Sequence, residues 1–323
     1  MLPKADDARW LAAAVALAER ARPGSNPNPG VGAIIVRDGI VVGRGWTQPG
    51  GRPHAEAAAL KQAGEAARGA TLYVTLEPCA HQSERGPACA DLVGEAGLAR
   101  AVVGLRDPDA RTAGKGITRL AAAGIEVVEA GQPADEFGLA GHEAALTLGR
   151  PHVTLKLALS LDGCIATATG ESQWITGEAA RAHTHRERAR ADAILVGGGT
   201  VRADGPQLTV RLDGLEARSP QRIVLTRGEA PEGWQAISAP ESISALADIR
   251  YLFIEGGAQT ATAFLEADLV DRLLIYRAPI LLGGKPGIAP LALPDLASAH
   301  GRWRCEDTRQ LGQDTLEIYT RTR

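Results

Sequence analysis

The strongest constraint on this chain is a donor set scattered through its first third: His54-Ala55-Glu56, then Pro78-Cys79, then Cys89. One imidazole and two thiolates can hold a single cation only if the fold brings the chain back twice to the same point. The local patterns say how. The stretch from His54 to Ala67 reads as a helix, Thr71 to Leu76 as a strand, and a further helix follows Cys89. A His-x-Glu triplet alone is common on surface helices; joined to Pro-Cys on the next strand-to-helix turn and to a second cysteine, it specifies a site. Three protein ligands leave one position of a tetrahedral zinc open, the arrangement by which such an ion activates water. Glu56, two residues past the imidazole, can sit beside that position without binding metal and carry protons. His54, Cys79 and Cys89 are the expected ligands, and Glu56 the expected catalytic group.

The rest of the first half supplies a frame for this site. Trp10, Leu11, Ala14, Leu17 and Ala18 fall at helical spacing after an Asp6 or Asp7 cap. Val31 to Val36 and Ile40 to Gly45 are strands joined by the turn Arg37-Asp38-Gly39. Strands at Ala101 to Leu105 and Ile125 to Val128 flank a helix over Gly116 to Ala123. The order is α/β, with a largely parallel sheet beyond the hairpin and helices on both sides in three layers. Gly131-Gln132-Pro133 leads into an Ala-rich helical stretch ending at Gly149-Arg150-Pro151, which divides the chain into domains 1–149 and 150–323. The second domain is again α/β. Its strands are expected at Val153 to Leu159, Ala193 to Val196, Ile223 to Thr226, Tyr251 to Ile254 and Leu273 to Arg277, with a helix from a Thr176 cap through Arg190. Glu229 to Arg250 has no readable pattern.

A length of 323 residues suits two separate cores. A formal net charge of −3 gives no basic surface for nucleic acid. No apolar run reaches the roughly 18 residues of a membrane span, and the N-terminus lacks the apolar core of a signal peptide. The expectation is a cytoplasmic enzyme for small molecules, with no nucleic-acid or membrane partner and with a homo-oligomer left open. Cys164 and Cys305 read as ordinary thiols.

Taken in order, His54, Glu56, Pro78, Cys79 and Cys89 resemble the cytidine deaminase-like fold. The nine residues between the cysteines set the chain apart from nucleoside and tRNA deaminases, whose cysteines lie closer. Ala80-His81-Gln82-Ser83-Glu84-Arg85-Gly86-Pro87-Ala88 is similar instead to a segment of the bifunctional riboflavin biosynthesis deaminase/reductase family, with one residue more than usual. Asn26-Pro27-Asn28-Pro29-Gly30-Val31-Gly32 resembles that family's Asn-Pro-x-Val-Gly loop, and Gly114-Lys115-Gly116 its Gly-[Lys/Arg]-Gly. Asp107-Pro108-Asp109 departs from its Asp-Pro-Asn in the last residue. The resemblance implies zinc, and a pyrimidine ribonucleotide substrate contacted by Asn28, His81 and Arg85.

In the second half Lys156 to Gly163, Gly170 to Thr176, Ala193 to Val201, Asp204 to Arg211, and Glu255-Gly256-Gly257 are similar, in order, to the reductase domain of the same family. That resemblance implies a dihydrofolate reductase-like fold using NADPH. It places Lys156, Ser172, Arg188, Leu208, Arg211 and Glu255 on substrate, and Ala158, Trp174, Thr200, Asp204, Gly256 and Gly257 on the cofactor. Guanidinium forks suit phosphate oxygens, so Arg188 and Arg211 are candidates for the 5′-phosphate. Without the resemblance, the charged run Arg181 to Arg190 would read as a solvated helix face. Gly256-Gly257, opening a helix at Ala258, lets backbone amides approach a diphosphate. Between Arg211 and Glu255 the chain is shorter than the family, which implies loss of an outer strand and helix. Two readings compete: a deaminase beside a degenerate, non-catalytic reductase, and a tRNA or nucleobase deaminase with an unrelated second domain.

Overall fold

The computed structural model describes residues 5–81 and 86–323. The chain divides into two compact units, Met1–Gly149 and Arg150–Arg323.

The first unit runs α1 (Ala5–Ala21), β1 (Gly32–Arg37), β2 (Ile40–Trp46), α2 (Ala55–Ala63), β3 (Thr71–Leu76), α3 (Cys89–Glu95), β4 (Arg100–Leu105), α4 (Lys115–Ala122), β5 (Glu126–Glu129) and α5 (Ala140–Thr147). Its sheet has the order β2-β1-β3-β4-β5. The β1 strand pairs antiparallel with β2 and β3, while β3, β4 and β5 are parallel. Asp38 and Gly39, at φ 50° and 75°, form the two-residue hairpin turn, which requires left-handed backbone at both positions. Glycines let helices lie close on both faces. A Cβ at Gly32 would overlap the Ala14 carbonyl of α1, and one at Gly45 the Ala55 carbonyl of α2. Since Gly45 pairs with Ala33, the residue after Gly32, the two helices cover opposite faces. The helical stretch expected to run to Ala67 ends as α-helix at Ala63 and closes in a 3₁₀ turn over Gly64–Ala67. Asp7 lies inside the first turn of α1, and its carboxylate enters the core. There it pairs with Arg100 at 2.7 and 2.8 Å and accepts a bond from the Tyr73 hydroxyl at 3.1 Å.

The second unit comprises β6 (His152–Leu159), β7 (Cys164–Ala166), α6 (Glu178–Arg188), β8 (Ala193–Gly197), α7 (Gly198–Asp204), β9 (Gln221–Leu225), β10 (Gln235–Ile237), β11 (Tyr251–Ile254), α8 (Ala258–Glu266), β12 (Arg272–Arg277), β13 (Lys285–Pro286), β14 (Trp303–Leu311) and β15 (Asp314–Arg321). An eight-stranded sheet has the order β10-β9-β8-β11-β6-β12-β15-β14, parallel from β10 through β12 and antiparallel across the final hairpin. Strands buried on both faces alternate between two cores: Ala193 and Leu195 join one with Val153, Leu155 and Phe264, while Ile194 and Val196 join another with Phe253, Leu274 and Tyr276. In β6 this alternation places Lys156 and Ala158 opposite the apolar row Val153, Leu155 and Leu157.

Three expectations change here. Helix α6 is capped by Gly177, not Thr176, and the Gly177 N–H is satisfied by Asp314 at 2.7 Å. The stretch from Arg211 to Glu255 retains β9 and β10, and among the described residues its connection into β11 is a 3₁₀ turn over Pro240–Ala245. The β14/β15 hairpin lies where no strands were expected. No helix among the described residues is long and apolar enough to cross a membrane.

Candidate active sites

In the first unit the donors converge as the spacing requires. His54 precedes α2, Cys79 follows β3, and Cys89 opens α3. His54 Nδ1 is 3.6 Å from Cys79 Sγ and 3.3 Å from Cys89 Sγ, and the three donor atoms lie within 4.8 Å of one another. Ligands on a tetrahedral zinc are separated by about 3.6 Å, given Zn–N and Zn–S bonds of about 2.1 and 2.3 Å, so the donor set fits that ion. Donation from Cys89, aided by His54, draws the Cys79 thiol well below its ordinary range, while the same contact and burial push Cys89 up. Two adjacent thiolates repel, and a dication relieves that repulsion.

Glu56, in the first turn of α2, is 3% exposed and interacts with His54, Cys79 and Cys89. Burial pushes its carboxyl up to about 7. Asn28 stands beyond the imidazole, its amide 3.3 Å from His54 Nε2 and donating to the Gly51 carbonyl at 3.0 Å. His81 Nδ1 is buried with no hydrogen-bond partner among the described residues. Arg85 lies outside the described residues.

Sequence reasoning missed the group that fixes the Pro-Cys turn. Glu77, 2% exposed, directly precedes it and accepts the backbone N–H groups of Asp107 at 3.1 Å, Gly114 at 2.9 Å and Ile117 at 3.1 Å. Beside it Gly116 passes so close that a Cβ would overlap the Pro78 carbonyl. The Gly-Lys-Gly segment is therefore a close approach of backbone to backbone under the cysteine loop. An acid immediately before Pro-Cys was the available signal.

In the second unit a cavity of about 230 Å³ opens on the Lys156 side of β6. Its lining includes Lys156, Ala158, Ser172, Trp174, Arg188, Asp204, Arg211, Glu255 and Gly256, but not Thr200, Leu208 or Gly257. Leu208 is buried at φ 56°, and Thr200 Oγ1 lies 3.7 Å from where a Gly257 Cβ would stand. The charged run on α6 resolves into a stripe at helical spacing, Arg181, Thr184, His185 and Arg188, which faces the cavity rather than solvent.

Charges in the cavity are matched unevenly. Arg188 gives its fork to Glu255 at 2.5 and 3.0 Å and its remaining nitrogen to the Thr209 carbonyl at 3.0 Å. Lys156 Nζ is 3.7 Å from the same carboxylate. Burial pushes Glu255 up, but Lys156 and Arg188 outweigh it and hold the carboxyl below the usual range. Arg181 donates to the Thr176 carbonyl at 2.7 Å and stacks 4.9 Å above the ring of Trp174, which is 64% exposed. Arg211 is exposed, and its guanidinium has no partner among the described residues. The Arg211 backbone N–H donates to His185 Nδ1 at 3.2 Å.

At the ends of the adjacent strands β8 and β11 the chain turns through Gly197-Gly198 and Gly256-Gly257 into α7 and α8. Thr260 fills the space between: a Cβ at Gly197 would overlap its hydroxyl, and one at Gly256 would come within 2.5 Å of its Cβ. A Cβ at Gly199 would meet nothing within 4 Å. Helix N-termini bared of side chains at neighbouring strand ends fit the diphosphate of a dinucleotide.

Residues 4–105 match the cytidine and deoxycytidylate deaminase zinc-binding region, and residues 151–316 match the RibD C-terminal domain. The riboflavin biosynthesis protein RibD of Escherichia coli K12 is 38% identical over 95% of this chain and 97% of its own length. The chain belongs to the RibD family. RibD of Mycobacterium tuberculosis H37Rv is 41% identical, with 90% of each chain covered. Among solved structures, Acinetobacter baumannii RibD (form 2) is 36% identical with a TM-score of 0.83, covering 98% of this chain and 99% of that one. A Thermotoga maritima diaminohydroxyphosphoribosylaminopyrimidine deaminase/5-amino-6-(5-phosphoribosylamino)uracil reductase is 31% identical with a TM-score of 0.87, at 98% and 99% coverage. The chain is thus a bifunctional enzyme of riboflavin biosynthesis acting on small molecules, a cytidine deaminase-like zinc hydrolase followed by a dihydrofolate reductase-like oxidoreductase that uses NADPH.

Proposed function

We propose that domain 1–149 deaminates 2,5-diamino-6-ribosylamino-4(3H)-pyrimidinone 5′-phosphate, and that domain 150–323 then reduces the ribosyl side chain of the product to ribityl. The observation that carries the first step is the His54, Cys79 and Cys89 cluster with buried Glu56 at its edge. Zinc held there supplies an acidified water as nucleophile at neutral pH. Glu56 would carry one proton of the attacking water to the ring nitrogen and the second, released as the new hydroxyl becomes the carbonyl, to the leaving amine, which departs as ammonia. Asn28 meets the pyrimidine beside the imidazole, and His81 and Arg85 meet the rest of the nucleotide.

For the second step NADPH supplies hydride. Ala158, Trp174, Thr200 and Asp204 belong to the NADPH side, and the Gly256-Gly257 turn receives the diphosphate. Lys156, Ser172, Leu208 and Glu255 belong to the substrate side. Arg188 does not take the phosphate in this reading, because its fork is filled by Glu255. It holds that carboxylate in place, and the unpaired Arg211 takes the 5′-phosphate. The enzyme is read as cytoplasmic with no membrane partner, and the net charge of −3, which gives no basic excess, argues against a nucleic-acid partner. The test is to incubate purified protein with the diaminopyrimidinone nucleotide and follow ammonia and NADPH absorbance together. Ammonia release without NADPH and oxidation on its addition are expected. Ammonia release with no oxidation at any cofactor concentration would leave only the deaminase.

A further inference from the structure

Resting on the reading of Arg211 as the phosphate ligand, we propose that His185 is its positioning residue: the imidazole Nδ1 accepts the Arg211 backbone N–H and sets where the guanidinium stands over the cavity. The backbone leading to Arg211 is tied at three successive residues. The Thr209 carbonyl accepts from Arg188 at 3.0 Å, the Val210 N–H donates to Ser219 Oγ at 3.0 Å, and the Arg211 N–H donates to His185 at 3.2 Å. Two of these anchors, Arg188 and His185, lie one helical turn apart on the stripe of α6 that lines the cavity.

A backbone N–H can only donate, so Nδ1 must present its lone pair and the ring proton must reside on Nε2. The surroundings favour that neutral form. Burial, with Arg188 and Arg211 nearby, holds the imidazole below its ordinary range, while Glu255 and the Thr209 backbone pull weakly the other way. A long, unpaired side chain loses rotamer freedom when it grips an anion, and a fixed backbone beneath it reduces the number of conformations to be lost.

The experiment compares the parent with His185→Ala, His185→Asn, Arg211→Ala and the double variant His185→Ala/Arg211→Ala. It measures reductase KM and kcat for the deaminated 5′-phosphate substrate, and NADPH affinity by cofactor fluorescence. His185→Ala should raise KM about fivefold, the size of one net hydrogen bond, with the change in KM rather than kcat. His185→Asn should restore most of the loss, because Asn Oδ1 stands where Nδ1 does. The double variant should match Arg211→Ala. An unchanged KM in His185→Ala, an equal penalty with Arg211 already removed, or a parallel loss of NADPH affinity would overturn the positioning role. If Arg211→Ala itself leaves KM unaltered, the phosphate reading fails and this inference fails with it; a raised KM there with none in His185→Ala sinks the inference alone.

Discussion

The two sites are built on opposite plans. Around His54 every chemical group is within a few ångströms of the next, and Glu56, Cys79 and Cys89 are all buried. Around Glu255 the groups come from β6, α6, the loop carrying Trp174 and the stretch to Arg211, and several are exposed. The first plan concentrates function in a few atoms that must meet one ion. The second spreads it over many elements whose mutual register matters more than any one group. Loss of a single group should therefore be all-or-none in the first unit and graded in the second.

The largest effect expected is at the metal. Cys79→Ala, or exhaustive chelation, should abolish ammonia release while NADPH oxidation with deaminated substrate persists; metal analysis should show one zinc lost per chain. Glu56→Gln should retain zinc and lose about 10²–10⁴-fold in deamination rate. Parallel loss of both activities on chelation would break the contrast.

Next in size is Arg188→Ala, which leaves a buried carboxylate with Lys156 alone. A loss of about 3–5 kcal/mol in the stability of the second unit is expected in urea unfolding, together with reductase activity. Arg188→Lys should not recover it, since an ammonium cannot match the fork. Unchanged unfolding would show that Lys156 suffices.

A smaller effect is expected of Arg211→Ala. With its guanidinium exposed and without a partner among the described residues, stability should hold, and KM for the phosphorylated substrate should rise about 10–100-fold, the range for hydrogen bonds to a charged group. Equal KM values for phosphorylated and dephosphorylated substrate in the parent would remove the basis for this assignment. The smallest change belongs to Arg181→Ala. Besides its hydrogen bond to the Thr176 carbonyl, it removes the cation–π contact that seats Trp174, worth about 0.5–1 kcal/mol, so NADPH affinity measured by fluorescence titration should weaken about two- to fivefold through Trp174.

The same contrast explains what could be read from the chain. Ligands fixed by donor chemistry at short range, His54, Cys79 and Cys89, were visible as a pattern, and so was the Asp38-Gly39 turn. The parallel core strands were visible because burial on both faces makes them apolar throughout. Groups defined by distant partners were not. Asp7 has the local signature of a helix cap, but its partner is Arg100, 93 residues away. Gly177 caps α6 with no side-chain acceptor, and its own N–H is held by Asp314, 137 residues away. The β14 strand escaped notice because it is a solvated edge of mostly polar residues. Arg188 reads from the sequence as a phosphate ligand, and nothing in the sequence signals that Glu255 fills its fork.

Thr260, wedged between Gly197 and Gly256, limits the order in which this enzyme can change. A larger residue at either glycine meets the threonine first, whereas trimming Thr260 alone opens a void at the base of the cofactor turns. Neither glycine can gain a side chain until Thr260 has become smaller, so the three positions are sterically coupled. Libraries that vary either glycine alone should record it as immutable; varied together with a smaller residue at position 260, the glycines should yield viable combinations.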